Sequence, residues 1–208
     1  LHRLQAFYYH GRVYANAGLR HEAMTAYTRA KDFVDEVDSP YPVGLLYAQM
    51  GTLHGYDYDY KQALAYTEKS LQCYEAADKE RLQIIAKRNL GKYYLNMLQF
   101  SQADSLLNEV LIWGEAHDDS YIINSTLTPL LRLYDATANV EALNSLFIRY
   151  PIDVFPQNAA TYSIMAHYHA LINDRVAAED ALVHAWDISA SAEDTAKLLQ
   201  KRYQIYKV

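Results

Sequence analysis

Apolar and small residues recur along this chain in two alternating sets, and the spacing of those sets predicts helices. Gly11, Gly51 and Gly91 are evenly spaced, and aligning them superposes the same residue types around each. Phe7 stands four before Gly11 and Tyr14 three after it; Ala23, Tyr27 and Ala30 stand twelve, sixteen and nineteen after it. The same offsets hold Tyr47, His54, Ala63, Thr67 and Ser70 around Gly51, and Lys87, Tyr94, Ala103, Leu107 and Val110 around Gly91. A fourth copy centres on Leu131, with Leu127 before it and Tyr134 after it. Its second half reads as one residue short, so that Ala142 and Leu146 take the later places. A fifth centres on Ala166, with Tyr162, His169, Ala178, Leu182 and Ala185, and a sixth is expected to start at Tyr203 and Tyr206.

Offsets −4, 0 and +3 share one face of a helix with about 3.6 residues per turn, and +12, +16 and +19 define a second such face. Breaks separate the two: 17–20, 57–59, 137–139 and 173–174. Each copy therefore reads as two antiparallel helices. The small residues mark where the helices approach most closely, and the aromatics fill the space between one pair and the next. No pair buries its apolar face alone, so the pairs must stack. Pro129 falls inside an expected helix and predicts a kink there, or a late start with Thr128 as its cap. The segment from Tyr150 to Pro156 is the least helical and reads as a reshaped join.

The order aromatic, small, Tyr, then Ala, aromatic or Leu, small resembles the tetratricopeptide repeat (TPR), best in Phe7-Gly11-Tyr14-Ala23-Tyr27-Ala30. The usual period is about 34, whereas the interval from Gly11 to Gly51 and again to Gly91 is longer. The simplest reading lengthens the second helix of each pair, for example Lys61 to Ala77, with short joins such as Asp38 to Pro42. The resemblance, to long-period bacterial arrays, implies an all-α, right-handed superhelix (an α-solenoid) of about five helix hairpins with a C-terminal helix. One repeat domain over 1–208 is expected, with units at approximately 4–42, 43–82, 83–120, 121–156 and 157–190 and a terminal helix at 192–207. The chain begins at Leu1 without Met and reads as a fragment of a longer protein, the sensing or regulatory part of a bacterial one by this likeness.

Composition narrows the chemistry. Half the residues are hydrophobic (51%) and 21% are charged, which is globular rather than disordered. The net charge of −6 gives no support to nucleic-acid binding by this segment. No apolar run approaches the ~18 residues of a membrane span. Cys73 is the single cysteine, which excludes an internal disulfide and cysteine-cluster metal sites; cytoplasm and periplasm both stay open. The eight His lack ligand spacing, so no metal is expected. No phosphate loop, dinucleotide fingerprint, nucleophile elbow or HExxH is present, so neither a cofactor nor an enzyme is expected. Of the 20 tyrosines, Tyr14, Tyr27, Tyr47, Tyr94, Tyr134 and Tyr162 occupy repeat-packing positions and read as core.

One stripe goes beyond packing. The resemblance implies that the first helix of each pair lines the concave surface, and offsets −3, +1 and +5 lie beside the small position. They hold Tyr8, Arg12 and Asn16; Ala48, Thr52 and Tyr56; Arg88, Lys92 and Asn96; Thr128, Arg132 and Ala136; Ser163, His167 and Leu171. None is acidic, so a basic, polar groove is expected in an acidic protein. Such a groove favours an acidic or carboxylate-bearing peptide of a partner protein. The carboxylate clamp of some TPR domains would fall on Tyr8, Arg12, Gln49, Ile85 and Asn89, and these depart from its pattern at most places, so chaperone-tail binding is not inferred. The alternative is a structural or self-associating scaffold with an idle groove.

Overall fold

In a computed structural model, residues 1–189 are described, and among them every regular element is helical. Ten α-helices follow one another: α1 (His2–Asn16), α2 (Arg20–Lys31), α3 (Pro40–Tyr56), α4 (Tyr60–Ala76), α5 (Glu80–Asn96), α6 (Phe100–Ala116), α7 (Ser120–Ala136), α8 (Val140–Arg149), α9 (Ala159–Leu171) and α10 (Arg175–Asp187). The expected terminal helix 192–207 and the sixth repeat lie outside the described residues. Helices α3 to α8 begin at Pro40, Tyr60, Glu80, Phe100, Ser120 and Val140, a constant step. Helices α3 to α7 are each 17 residues long. The extra length of the repeat is thus shared by both helices of a pair; the expectation that the second helix alone is lengthened is corrected.

The joins explain how the chain keeps this beat. Seven of them are three residues long, and in each the middle residue has positive φ: Gly18, Tyr58, Asp78, Leu98, Asp118, Ala138 and Asn173. That left-handed residue ends the helix, and the next amide turns back onto the last turn. Leu19 N–H donates to the Tyr14 carbonyl at 2.9 Å, Asp59 to His54 at 2.9 Å, Asp119 to Gly114 at 2.9 Å and Asp174 to His169 at 2.8 Å. At Asp59, Asp119, Asn139 and Asp174 the same residue then caps the following helix by its side chain. The Asp59, Asp119, Asn139 and Asp174 side chains accept from the amides of Gln62, Ile122, Ala142 and Ala177 at 3.1–3.2 Å. One residue closes one helix and opens the next.

The chain divides into two compact units, Leu1–Trp113 and a second starting at Gly114. In the first, α1 packs on α2, α2 on α3, α3 on α4 and α4 on α5. Leu4, Tyr8, Ala23, Tyr27, Ala30, Val43, Leu46, Met50 and Leu53 form one buried cluster. The small position is a true close approach. A Cβ on Gly11 would fall on the Tyr27 ring, and one on Gly51 would lie 2.6 Å from Thr67 Oγ1 and 3.2 Å from the Ala63 carbonyl. The position twelve further along (Ala23, Ala63, Ala103, Leu143, Ala178) is fully buried in every pair.

Two local expectations are corrected in the second unit. Leu143 stands in phase twelve after Leu131 and is fully buried, so nothing is missing before α8 and Ala142 does not take its place. The shortening comes at the end of α8, which stops at Arg149. Helix α7 starts at Ser120, capped by Asp119, and continues through Pro129, so Thr128 is not a cap. After α8 the chain turns at Ile152–Val154 and buries Phe155 against Phe147, ring centroids 5.7 Å apart. Glu115 anchors this join, accepting from Arg149 Nη2 at 2.5 Å and from the Tyr150 hydroxyl.

Candidate functional site

In the first unit the stripe splits into exposed and buried members. Arg12 is exposed, its guanidinium 5.9 Å from the ring of the buried Tyr8, and Asn16 is exposed at the end of α1. On α3, Gln49 and Thr52 are half-buried, and Thr52 Oγ1 donates to the Ala48 carbonyl at 2.9 Å. Tyr56 is exposed beneath the Arg20 guanidinium, 5.7 Å from its ring, and Arg20 pairs with Asp57 at 3.2 Å. On α5, Lys92 is exposed and Asn89 and Asn96 are half-buried. Arg88 is only 8% exposed, with Nη2 3.5 Å from Asn89 Oδ1. Tyr8 and Arg88 thus lie below the surface that Arg12 and Lys92 present.

Tyr93, which the repeat offsets do not single out, ties α5 to α3. Its hydroxyl donates to the Gly51 carbonyl at 3.2 Å, and its ring lies where a Cβ on Gly55 would be, 2.6 Å from Cε1. Burial pushes its phenol up to about 12, although hydrogen bonds with Thr52 and Thr67 and the Arg88 charge pull the other way. A pair of glycines four apart, Gly51 and Gly55, is the sequence signal for this aromatic plug.

In the second unit, Arg132 is exposed on α7. His167 on α9 has Nδ1 2.6 Å from Asp135 Oδ1, and both side chains are mostly covered. An acid therefore stands against the position where the stripe held only polar and basic groups. His169 points elsewhere, 3.9 Å from Asp174. Among the described residues no group of three His, Cys, Asp or Glu could hold a metal ion, and no helix is long and apolar enough to cross a membrane. Burial raises the Cys73 thiol, the opposite of nucleophile activation.

No protein-family model and no curated sequence matches the chain. Solved structures do. BtubC (BKLC) from P. vanneervenii superposes with a TM-score of 0.68 at 17% identity, covering 86% of this chain and 76% of that one. A putative kinesin light chain from Podosopora anserina with nearly identical TPR-like repeats superposes at 0.67 and 16% identity, covering 89% and 94%. A glutamine-to-methionine variant of that protein superposes at 0.67 and 17% identity, covering 90% and 95%. The chain has the TPR-like helical-repeat fold. Within this TPR-like array charge is sorted by helix. The first helices of the pairs in the first unit, α1, α3 and α5, contain Arg3, Arg12, Arg81, Lys87, Arg88 and Lys92 but a single acid, Glu80. Glu80 accepts from Trp113 Nε1 at 2.7 Å. The second helices and the turns carry the remaining acids of that unit, among them Glu22, Asp57, Glu68 and Glu109.

The first TPR-like pair also holds a cavity of about 170 Å³ between α1 and α2, lined by Phe7, His10, Tyr14, Glu22, Thr25, Ala26 and Arg29. Phe7 stacks on Phe33 with centroids 5.8 Å apart, and the His10 and Tyr14 rings are 4.7 Å apart. Phe7, Tyr14 and Ala26 were legible as packing residues or their neighbours; the space between them was not.

Proposed function

We propose that this protein is a non-catalytic interaction module that takes an acidic segment of another protein on the face formed by α1, α3 and α5. The fold is one generally involved in protein interaction. The observation that carries the finer reading is the sorting of charge. In an acidic chain, the three successive first helices hold cations on α1 and α5 and a single acid among all three, and that acid is bonded to Trp113. Arg12 and Lys92 are the exposed contacts, while Tyr8, Thr52, Arg88, Asn89 and Asn96 shape the surface beneath them. Gln49, Asn16 and Tyr56 form its polar and aromatic margin. The proposal is confined to the first unit, because His167 in the second is already matched by Asp135.

A fluorescent acidic dodecapeptide titrated by anisotropy tests this. Arg12→Glu with Lys92→Glu is expected to weaken binding about tenfold or more, as rim charges govern encounter and register. Lys61→Glu on α4 is the matched control and is expected to leave binding unchanged. Equal affinity in all three proteins removes this face from the account. No peptide binding, together with a mass in solution that grows with concentration, supports the self-associating scaffold instead.

A further inference from the structure

The repeat supplies its own comparison for the cavity in the first pair. The shift that carries Gly11 onto Gly51 also carries Phe7, His10, Tyr14, Ala26 and Arg29 onto Tyr47, Met50, His54, Tyr66 and Lys69. In the second pair the space is filled from within. The Tyr66 ring stacks on His54 with centroids 5.4 Å apart and planes 9° from parallel, and lies 6.0 Å from the Tyr47 ring. Lys69 Nζ sits 5.7 Å from the Tyr66 centroid and 5.6 Å from that of Tyr47. In the first pair Ala26 contributes no ring, yet the walls remain aromatic and the cation remains as Arg29. The Arg29 guanidinium makes no hydrogen bond or ion pair among the described residues.

We propose that the cavity of the first pair is a pocket for an aromatic side chain of a partner protein, a tyrosine-like ring entering where Tyr66 sits in the second pair. The volume, about 170 Å³, is of the size that accommodates a benzene ring, roughly 150 Å³ in a protein interior. Flat walls from Phe7 and Tyr14 favour a ring over a branched aliphatic chain through stacking. Arg29 over the ring face adds the contact that Lys69 makes with Tyr66. The pocket shares no residue with the Arg12 and Lys92 surface, so it stands or falls independently of the acidic-segment reading.

The test uses N-acetyltyrosinamide as probe and N-acetylleucinamide as its aliphatic control, followed by shifts of the His10 and Tyr14 ring resonances. One saturable site of millimolar affinity is expected for the tyrosine probe only. Ala26→Tyr, which supplies the plug of the second pair, is expected to lose at least tenfold in affinity with thermal stability retained. Tyr66→Ala opens the equivalent space and is expected to raise the stoichiometry from one site to two, which decides the matter even where Ala26→Tyr folds poorly. Equal binding of the leucine probe, binding unaffected by Ala26→Tyr in a folded protein, or no second site in Tyr66→Ala overturns the proposal.

Discussion

Single residues in this fold are constrained by what stands across the helix pair, and two of them make opposite predictions. A glycine inside a helix normally costs about 1 kcal/mol relative to alanine, so Gly51→Ala on α3 would stabilise an isolated helix. Here the added methyl meets Thr67 Oγ1 and the Ala63 carbonyl, and the carbonyl is backbone that moves only if α4 does. Gly51→Ala is therefore expected to destabilise by about 1–3 kcal/mol in urea unfolding. Tyr27 is the reverse case. Its hydroxyl is wholly buried with no protein hydrogen-bond partner, so Tyr27→Phe is expected to stabilise by about 1 kcal/mol. The pH dependence follows with its sign. Burial raises the Tyr27 phenol from 10.0 to about 12, so the neutral form is favoured in the folded state. Its contribution is fully present below pH 10 and is lost as pH rises through about 12. Alkaline melts should show the wild type losing stability across that window more steeply than Tyr27→Phe.

Elements are set by their joins as much as by their faces. Of the seven left-handed join residues only Gly18 is glycine, and the others bear a side chain in a conformation that costs an L-residue about 1–2 kcal/mol. The turn-back bond of the next amide holds them there, joined at Asp59, Asp119, Asn139 and Asp174 by a side-chain cap. Ala138, with φ 49° and an exposed side chain, is the cleanest probe, because its methyl makes no packing contribution to offset the strain. Ala138→Gly is expected to raise stability by about 0.5–1 kcal/mol, less whatever glycine adds to the freedom of the unfolded chain. A melting temperature that falls on this substitution would show that the strain relieved there is smaller than the freedom glycine adds to the unfolded chain. Such joins are hard to read in the sequence: Gly18 and the 57–59, 137–139 and 173–174 breaks are legible, whereas Leu98 looks like one more apolar helix residue. The pattern decides that the chain must break, and only the backbone shows that the breaks from Tyr58 to Ala138 recur at a constant step.

At the scale of the whole molecule the relevant quantity is where charge lies, not its total. The net charge of −6 would repel an acidic segment from an evenly charged surface; the cations of α1 and α5 offer one local exception. Binding of the acidic dodecapeptide should then weaken roughly tenfold between about 0.05 M and about 0.5 M salt. Binding of N-acetyltyrosinamide should hardly change, since stacking and burial drive it. The sequence by itself determined the helical-hairpin repeat, its long even period and the small contact positions, because helix periodicity and close packing act on residues near in the chain or in strict register. It also yielded the acid-free stripe. Only the tertiary structure decided which stripe members are exposed, that Arg88 and Tyr8 lie beneath while His167 meets Asp135, and that Ala26 lines a cavity whereas the Tyr66 ring stacks on His54. These depend on which side chains from distant turns share a space, and no spacing rule along one helix encodes that.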